Sequence, residues 1–167
     1  MPQTALLEAV KAGLKGERDS ITVYSEAAGR AAGEIRQFFL DRADEEKKHF
    51  NWLLDYYSRL INGEPSASLK NIALDRADKP DSPILSEDFL RRIASDQYLT
   101  TAIATAVLLE ATAMRHYMDS AESTVHEELR RFFHAMAEWE NSHYDELLKI
   151  QEESRQYWFE VQRFEPF

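Results

Sequence analysis

Glu140-Asn141-Ser142-His143 decides the reading of this chain, because Glu46-Lys47-Lys48-His49 repeats its pattern in the first half. On a helix, positions i and i+3 share a face, so each Glu-x-x-His aims a carboxylate and an imidazole at one point. Each motif has companions upstream: Glu17 is followed seven positions later by Tyr24, and Glu110 at the same interval by Tyr117. Seven residues make nearly two turns, which puts each glutamate and its tyrosine on one stripe. Four glutamates and two histidines delivered by four helices are the donor set of a carboxylate-bridged two-metal site inside a helical bundle.

Working outward, the sequence supplies those four helices. Helix A is predicted from a Thr4 cap to about residue 32, with Val10, Leu14, Glu17, Ile21, Tyr24 and Ala28 on one stripe. A carboxylate in such a stripe is costly to bury unless it is paired or bound to metal. Gly33 breaks the chain, and helix B follows over about 34–62 with Phe39, Ala43, Glu46, His49 and Leu53 inward. Gly63-Glu64-Pro65 ends it, and residues 63–85 carry Pro65, Pro80 and Pro83 with no helical period. That stretch is predicted as a long crossover between helices B and C. Helix C is predicted over about 86–122 from the start signal Ser86-Glu87-Asp88, and a second start signal at Ser95-Asp96 leaves open a short helix before it. Thr124-Val125-His126-Glu127 reads as a capping box opening helix D, about 125–156, which carries Phe133, Met136, Glu140, His143 and Leu147. The aromatic tail, 157–167, is expected to pack on the bundle or on a second subunit.

Geometry links the two halves. In an antiparallel hairpin, residues at one height are equidistant from the turn. Glu17 and Glu46 have their midpoint between positions 31 and 32, beside Gly33, and Glu110 and Glu140 have theirs at 125, beside Thr124. Both turns therefore bring the parts of each constellation level, and the halves form a pseudo-repeat at an offset of about 93 residues. One Glu-x-x-His on a charged helix is ordinarily a solvated face. Two of them, level with two stripe glutamates, call for another explanation.

Composition narrows the function. A length of 167 residues suits a single domain with a real core. A net charge of −10 argues against nucleic acid or an anionic membrane as partner. The absence of cysteine excludes disulfides, thiolate metal sites and iron–sulfur clusters from these residues. Met1-Pro2-Gln3-Thr4 shows no basic region leading into an apolar run, and no apolar run is long enough for a bilayer, so a cytoplasmic protein is expected. Carboxylate and imidazole donors suit iron or manganese, and two divalent ions would offset four glutamate charges. Glu17 and Glu110 are expected as terminal or bridging ligands and Glu46 and Glu140 as bridges. His49 and His143 would each complete one metal, and Tyr24 and Tyr117 are expected to bond ligand carboxylates rather than serve as ordinary core aromatics with satisfied hydroxyls. His116, His126 and His134 fall off the inner stripes and read as surface or structural. Trp52 and Trp139 read as packing, and Asp44-Glu45 and Asp145-Glu146 as solvated or dimer-facing charge.

The combination Glu17-x6-Tyr24, Glu46-x-x-His49, Glu110-x6-Tyr117 and Glu140-x-x-His143 resembles the di-iron signature of the rubrerythrin group of the ferritin-like superfamily, over almost the whole chain. The resemblance implies an all-α, ferritin-like four-helix bundle, commonly a homodimer, holding two iron ions per chain with manganese or zinc as substitutes. It also implies reduction of hydrogen peroxide, or dioxygen, to water in oxidative-stress defence. The cysteine-bearing rubredoxin domain of such proteins is absent, so a separate electron-donor protein is expected. Rubrerythrins typically carry an extra glutamate three residues after the helix C ligand, where it takes part in a redox-linked ligand swap. Here that position is Ala113, and its pseudo-repeat mate is Ser20. A second reading is therefore iron binding of the ferroxidase type, for sequestration. A third, from another class, is a metal-free helical interaction module.

Overall fold

The computed structural model describes residues 3–63 and 85–162, which form five α-helices and, among the described residues, no strand. Helices α1 (Gln3–Arg30) and α2 (Gly33–Ile61) make one hairpin, and α4 (Gln97–Ser123) and α5 (Glu127–Gln162) make the other. The hairpins meet along α1 and α4, and a short α3 (Glu87–Ser95) packs on the far half of α5. This is an all-α, ferritin-like bundle.

Caps fix the element ends. Gly33 turns the first hairpin with φ of 59°, a left-handed conformation that glycine adopts without a Cβ clash. Ser86 caps α3 by accepting from the Phe89 amide at 3.0 Å. The short helix left open by the second start signal is present, and the stretch is divided at Asp96, whose Oδ1 accepts from the amides of Tyr98 and Leu99 at 2.9 and 3.1 Å. Thr100 Oγ1 donates across this break to the Ile93 carbonyl. At the second turn the Thr124 hydroxyl accepts from the His126 amide, two residues on, and the Arg130 amide donates to the His126 carbonyl. A local turn thus replaces the expected capping box, and α5 starts at Glu127. It then runs through Tyr157, Trp158 and Phe159 as helix. The end of the aromatic tail and nearly all of the predicted crossover lie outside the described residues. Leu60, near the end of α2, and Leu85, just before α3, pack against opposite apolar clusters.

Those two clusters frame the site. Tyr24, Ile35, Phe39, Ile103 and Leu147 belong to one, and Val10, Leu53, Tyr117, Phe133 and Met136 to the other. Phe39 and Phe133 are fully buried and contribute about 1.5–3 kcal/mol each. Large rings bridge α2 and α5, with Tyr56 and Phe132 at 5.7 Å between centroids and Trp52 and Trp139 at 6.3 Å. Small residues serve between α1 and α4: a Cβ on Gly13 would sit 3.1 Å from the Tyr117 hydroxyl, so glycine leaves the room this ring needs. No helix among the described residues is long and apolar enough to cross a membrane.

Candidate metal centre

Between the clusters, α1 brings Glu17, α2 brings Glu46 and His49, α4 brings Glu110, and α5 brings Glu140 and His143. All six side chains are at most 1% exposed. They form two overlapping groups whose donor atoms lie within 4.8 Å of one another. One holds Glu17, Glu46, His49 and Glu140, the other Glu46, Glu110, Glu140 and His143. Glu46 and Glu140 are common to both.

Both imidazoles turn Nδ1 inward. His49 Nδ1 lies 3.0 Å from Glu140 Oε1, and His143 Nδ1 lies 2.8 Å from Glu46 Oε1. These contacts lack hydrogen-bond alignment. Among the described residues, Glu17 Oε2, Glu110 Oε2, both oxygens of Glu46 and Glu140, and the two Nδ1 atoms have no hydrogen-bond partner. Buried polar atoms left this way cost about 1–3 kcal/mol each, so such a concentration needs a ligand to justify it. Every orphaned atom in this set is a carboxylate oxygen or an imidazole nitrogen with a free lone pair in its metal-binding form, and two divalent ions would neutralise the four carboxylates. The residues fit a two-metal centre.

The tyrosines cross between the repeats. Tyr24 donates to Glu110 Oε1, and Tyr117 donates to Glu17 Oε1. Each hydroxyl occupies the outer oxygen of a glutamate and leaves Oε2 facing the centre.

Without metal, protons must replace the missing positive charge. Burial pushes the Glu17 carboxyl up to about 8, partly opposed by the neighbouring His49 imidazole and reinforced by the charge of Glu46. Burial and the neighbouring charges of Glu46, Glu17 and Glu110 hold Glu140 well above the usual carboxylate range. Burial also raises Glu110, with Glu46 adding to it. Glu46 moves the other way: burial opposes ionisation, but the flanking imidazoles of His49 and His143 keep it well below the ordinary value. Reciprocally, burial disfavours charged imidazoles, yet Glu46 and Glu140 raise His49 well above its usual value. Glu46 and Glu45 overcome the same burial penalty at His143 and raise it to about 9.

One feature departs from the sequence reading, and two residues expected to pack do so against the cluster. Asp44 and Asp145 face solvent, but Glu45 and Glu146 turn inward. His143 Nε2 bonds Glu45 Oε2 at 2.9 Å, and Arg42 bridges Glu45 at 2.7 Å and Glu146 at 3.3 Å. Arg42 was not singled out by periodicity. Its only sequence signal is its place three residues before Glu45 and seven before His49. In addition, Trp52 and Trp139 pack on the centre itself, each with its ring centroid 5.5 Å from that of His49. His116 plays a structural part, with Nε2 against the Ala9 carbonyl at 2.9 Å, while His126 is exposed and His134 partly so. Ala113 lines a groove of about 250 Å³ between α1 and α4, with Gly13, Gly16, His116 and Tyr117.

A family model described as Rubrerythrin matches residues 8–151, a span that contains every residue of the cluster. No curated protein matches the chain, and no solved structure matches it.

Proposed function

Since the chain belongs to the rubrerythrin family, we propose that it is a non-haem di-iron protein that reduces hydrogen peroxide to water, drawing electrons from a separate donor protein. The observation that carries this reading is the pair of donor groups sharing Glu46 and Glu140, with their lone pairs turned inward. Two iron ions bound there would supply the two electrons that cleave the peroxide O–O bond, cycling between diferrous and diferric states. Two protons complete the conversion of one peroxide to two waters. Glu46 and Glu140, common to both groups, would serve both metals, Glu17 and Glu110 would be terminal or bridging ligands, and His49 and His143 would each complete one metal. The apolar clusters on either side exclude bulk water. The chain has no cysteine, so electrons arrive from outside these 167 residues. We place the protein in oxidative-stress defence, as a homodimer.

Ala113 favours a second reading, ferroxidase-type iron binding. The residue offers no carboxylate for a ligand swap, and the groove beside it stays open as far as Tyr117. Anaerobically loaded protein mixed with peroxide, and separately with dioxygen, separates the two. Two irons per chain oxidised at least about tenfold faster by peroxide is the expected result, since that ratio corresponds to a barrier difference of about 1.4 kcal/mol. Equal or faster oxidation by dioxygen would move the assignment to ferroxidase chemistry.

The tyrosines hold the terminal carboxylates in place. Tyr117→Phe is expected to keep the fold and to cost about 1–3 kcal/mol, the cost of leaving Glu17 Oε1 buried without its partner. It should also lower metal affinity about 10- to 100-fold by freeing Glu17 to rotate. Equilibrium unfolding and metal titration check both effects, and unchanged affinity would make Tyr117 a packing residue only.

A further inference from the structure

The pseudo-repeat that relates the two halves of the centre breaks down around the two histidines. Superposing Glu46-x-x-His49 on Glu140-x-x-His143 pairs Arg42 with Met136, Glu45 with Trp139, and Trp52 with Glu146. Three charged residues in one surrounding thus correspond to three apolar ones in the other. On the His143 side, Nε2 bonds Glu45 at 2.9 Å, and Arg42 holds that carboxylate at 2.7 Å while reaching Glu146 at 3.3 Å. On the His49 side, Nε2 is buried with no hydrogen-bond partner among the described residues, and the ring lies against Trp52 and Trp139.

We propose that the two metal positions are unequal by construction. The position completed by His143 binds first and tightly, and the one completed by His49 binds second and exchanges. This rests on the two-metal reading above and deepens it by assigning Glu45, with Arg42, as the positioning residue that sets the difference.

The physical reason is the outer nitrogen. An imidazole whose far N–H donates to a carboxylate is fixed in tautomer and orientation and is a more basic ligand, and removing such a partner typically lowers metal affinity 10- to 100-fold. Glu45 supplies that partner to His143. Arg42 spans Glu45 and Glu146, so Glu45 is pinned as an acceptor and cannot swing onto the metal. The group Arg42, Glu45 and Glu146 also carries a net negative charge beside the tighter position, which favours a cation there. His49 has neither advantage. Among the described residues its Nε2 has no hydrogen-bond partner and lies among the rings of Trp52 and Trp139, at best a weak contact, so packing rather than an acceptor holds that imidazole.

Anaerobic titration of the metal-free full-length chain with Co²⁺, followed by visible absorption and calorimetry, tests this. Wild type is expected to fill in two steps separated by at least about tenfold, the lower end of the outer-partner effect. His49→Ala should keep the tight step and lose the weak one, and His143→Ala the reverse. Adding Glu45→Gln to His49→Ala should weaken the remaining ion about 10- to 100-fold. Adding it to His143→Ala should leave the remaining ion's affinity unchanged. Two equal steps in wild type, or a Glu45→Gln effect of the same size in both backgrounds, would overturn the proposal and leave two-metal binding intact. Absence of stoichiometric binding by wild type would overturn the two-metal reading along with it. The wild-type isotherm needs no substitution, so misfolding of a variant cannot shield the idea.

Discussion

Glu140→Leu is expected to act with opposite signs in the metal-free and metal-loaded protein. Glu140 is wholly buried, both its oxygens lack hydrogen-bond partners, and three other glutamates surround it. Replacing a buried carboxyl whose oxygens have no hydrogen-bond partner among the described residues by an apolar group of similar volume removes a cost of about 1–3 kcal/mol, and that gain is expected without metal. With metal the same change removes a donor common to both groups. An ion present at 1,000 times its dissociation constant stabilises the native state by about 4 kcal/mol. Losing two such ions would lower the melting temperature by roughly 2–4 °C for each kcal/mol lost. Thermal unfolding under anaerobic conditions, with and without Fe²⁺, reads both signs. A metal-free interaction module predicts no metal-dependent shift in wild type at all. Equal destabilisation by Glu140→Leu in both conditions would make the residue structural.

The pH dependence of stability should likewise invert with metal. In the metal-free protein, Glu17 and His143 both release their protons at higher pH in the folded chain than in the unfolded chain, at about 8 against an ordinary 4.5 and about 9 against an ordinary 6.5. The native state then binds more protons than the unfolded state across this window. Stability is full below the ordinary values and is lost as pH rises toward 8 and 9, with a slope of roughly 1.4 kcal/mol per pH unit for each proton retained. Glu46, held below its ordinary value, adds a loss only on the acid side of 4.5. In the loaded protein the ligands must already have shed their protons. Metal binding competes with them, and affinity rises with pH over the same range. Urea unfolding from pH 5 to pH 9 should therefore show a falling curve without metal and a rising contribution from metal. Parallel curves would mean that protons and metal do not compete for these groups.

The fold and the inner ring of the centre were legible because both depend on periodicity. The i and i+3 spacing of Glu46 with His49 and of Glu140 with His143, and the position of each turn midway between paired glutamates, follow from helix geometry alone. The six side chains that meet in the structure are the six that spacing marks. The partners of the tyrosines were less legible, since spacing sets the stripe and not the neighbour across it. Tyr24 reaches Glu110, and Tyr117 reaches Glu17, because small residues such as Gly13 let α1 and α4 approach closely. Glu45 was misread for a different reason. An acid beside another acid looks solvated, and a residue adjacent to an inward one on a helix stands only about 100° away from it, on the border between faces. Arg42 below it and His143 from the other hairpin decide the matter, and neither contact is local in the pattern. The division at Asp96 turned on two competing start signals, at Ser86 and Ser95-Asp96, and both operate.

The crossing of the tyrosines also bears on how such a centre comes to exist. Neither hairpin holds a complete donor group, because each lends a hydroxyl to a glutamate of the other and one glutamate to the pair common to both groups. Two identical hairpins related by a twofold axis would satisfy every one of these obligations. What such a pair could not do is surround its two histidines differently, since symmetry would force any change onto both. Joining the halves in one polypeptide lifts that constraint. Glu45 and Trp139, equivalent positions of the pseudo-repeat, are then free to differ, one as a hydrogen-bond acceptor and the other as an aromatic wall.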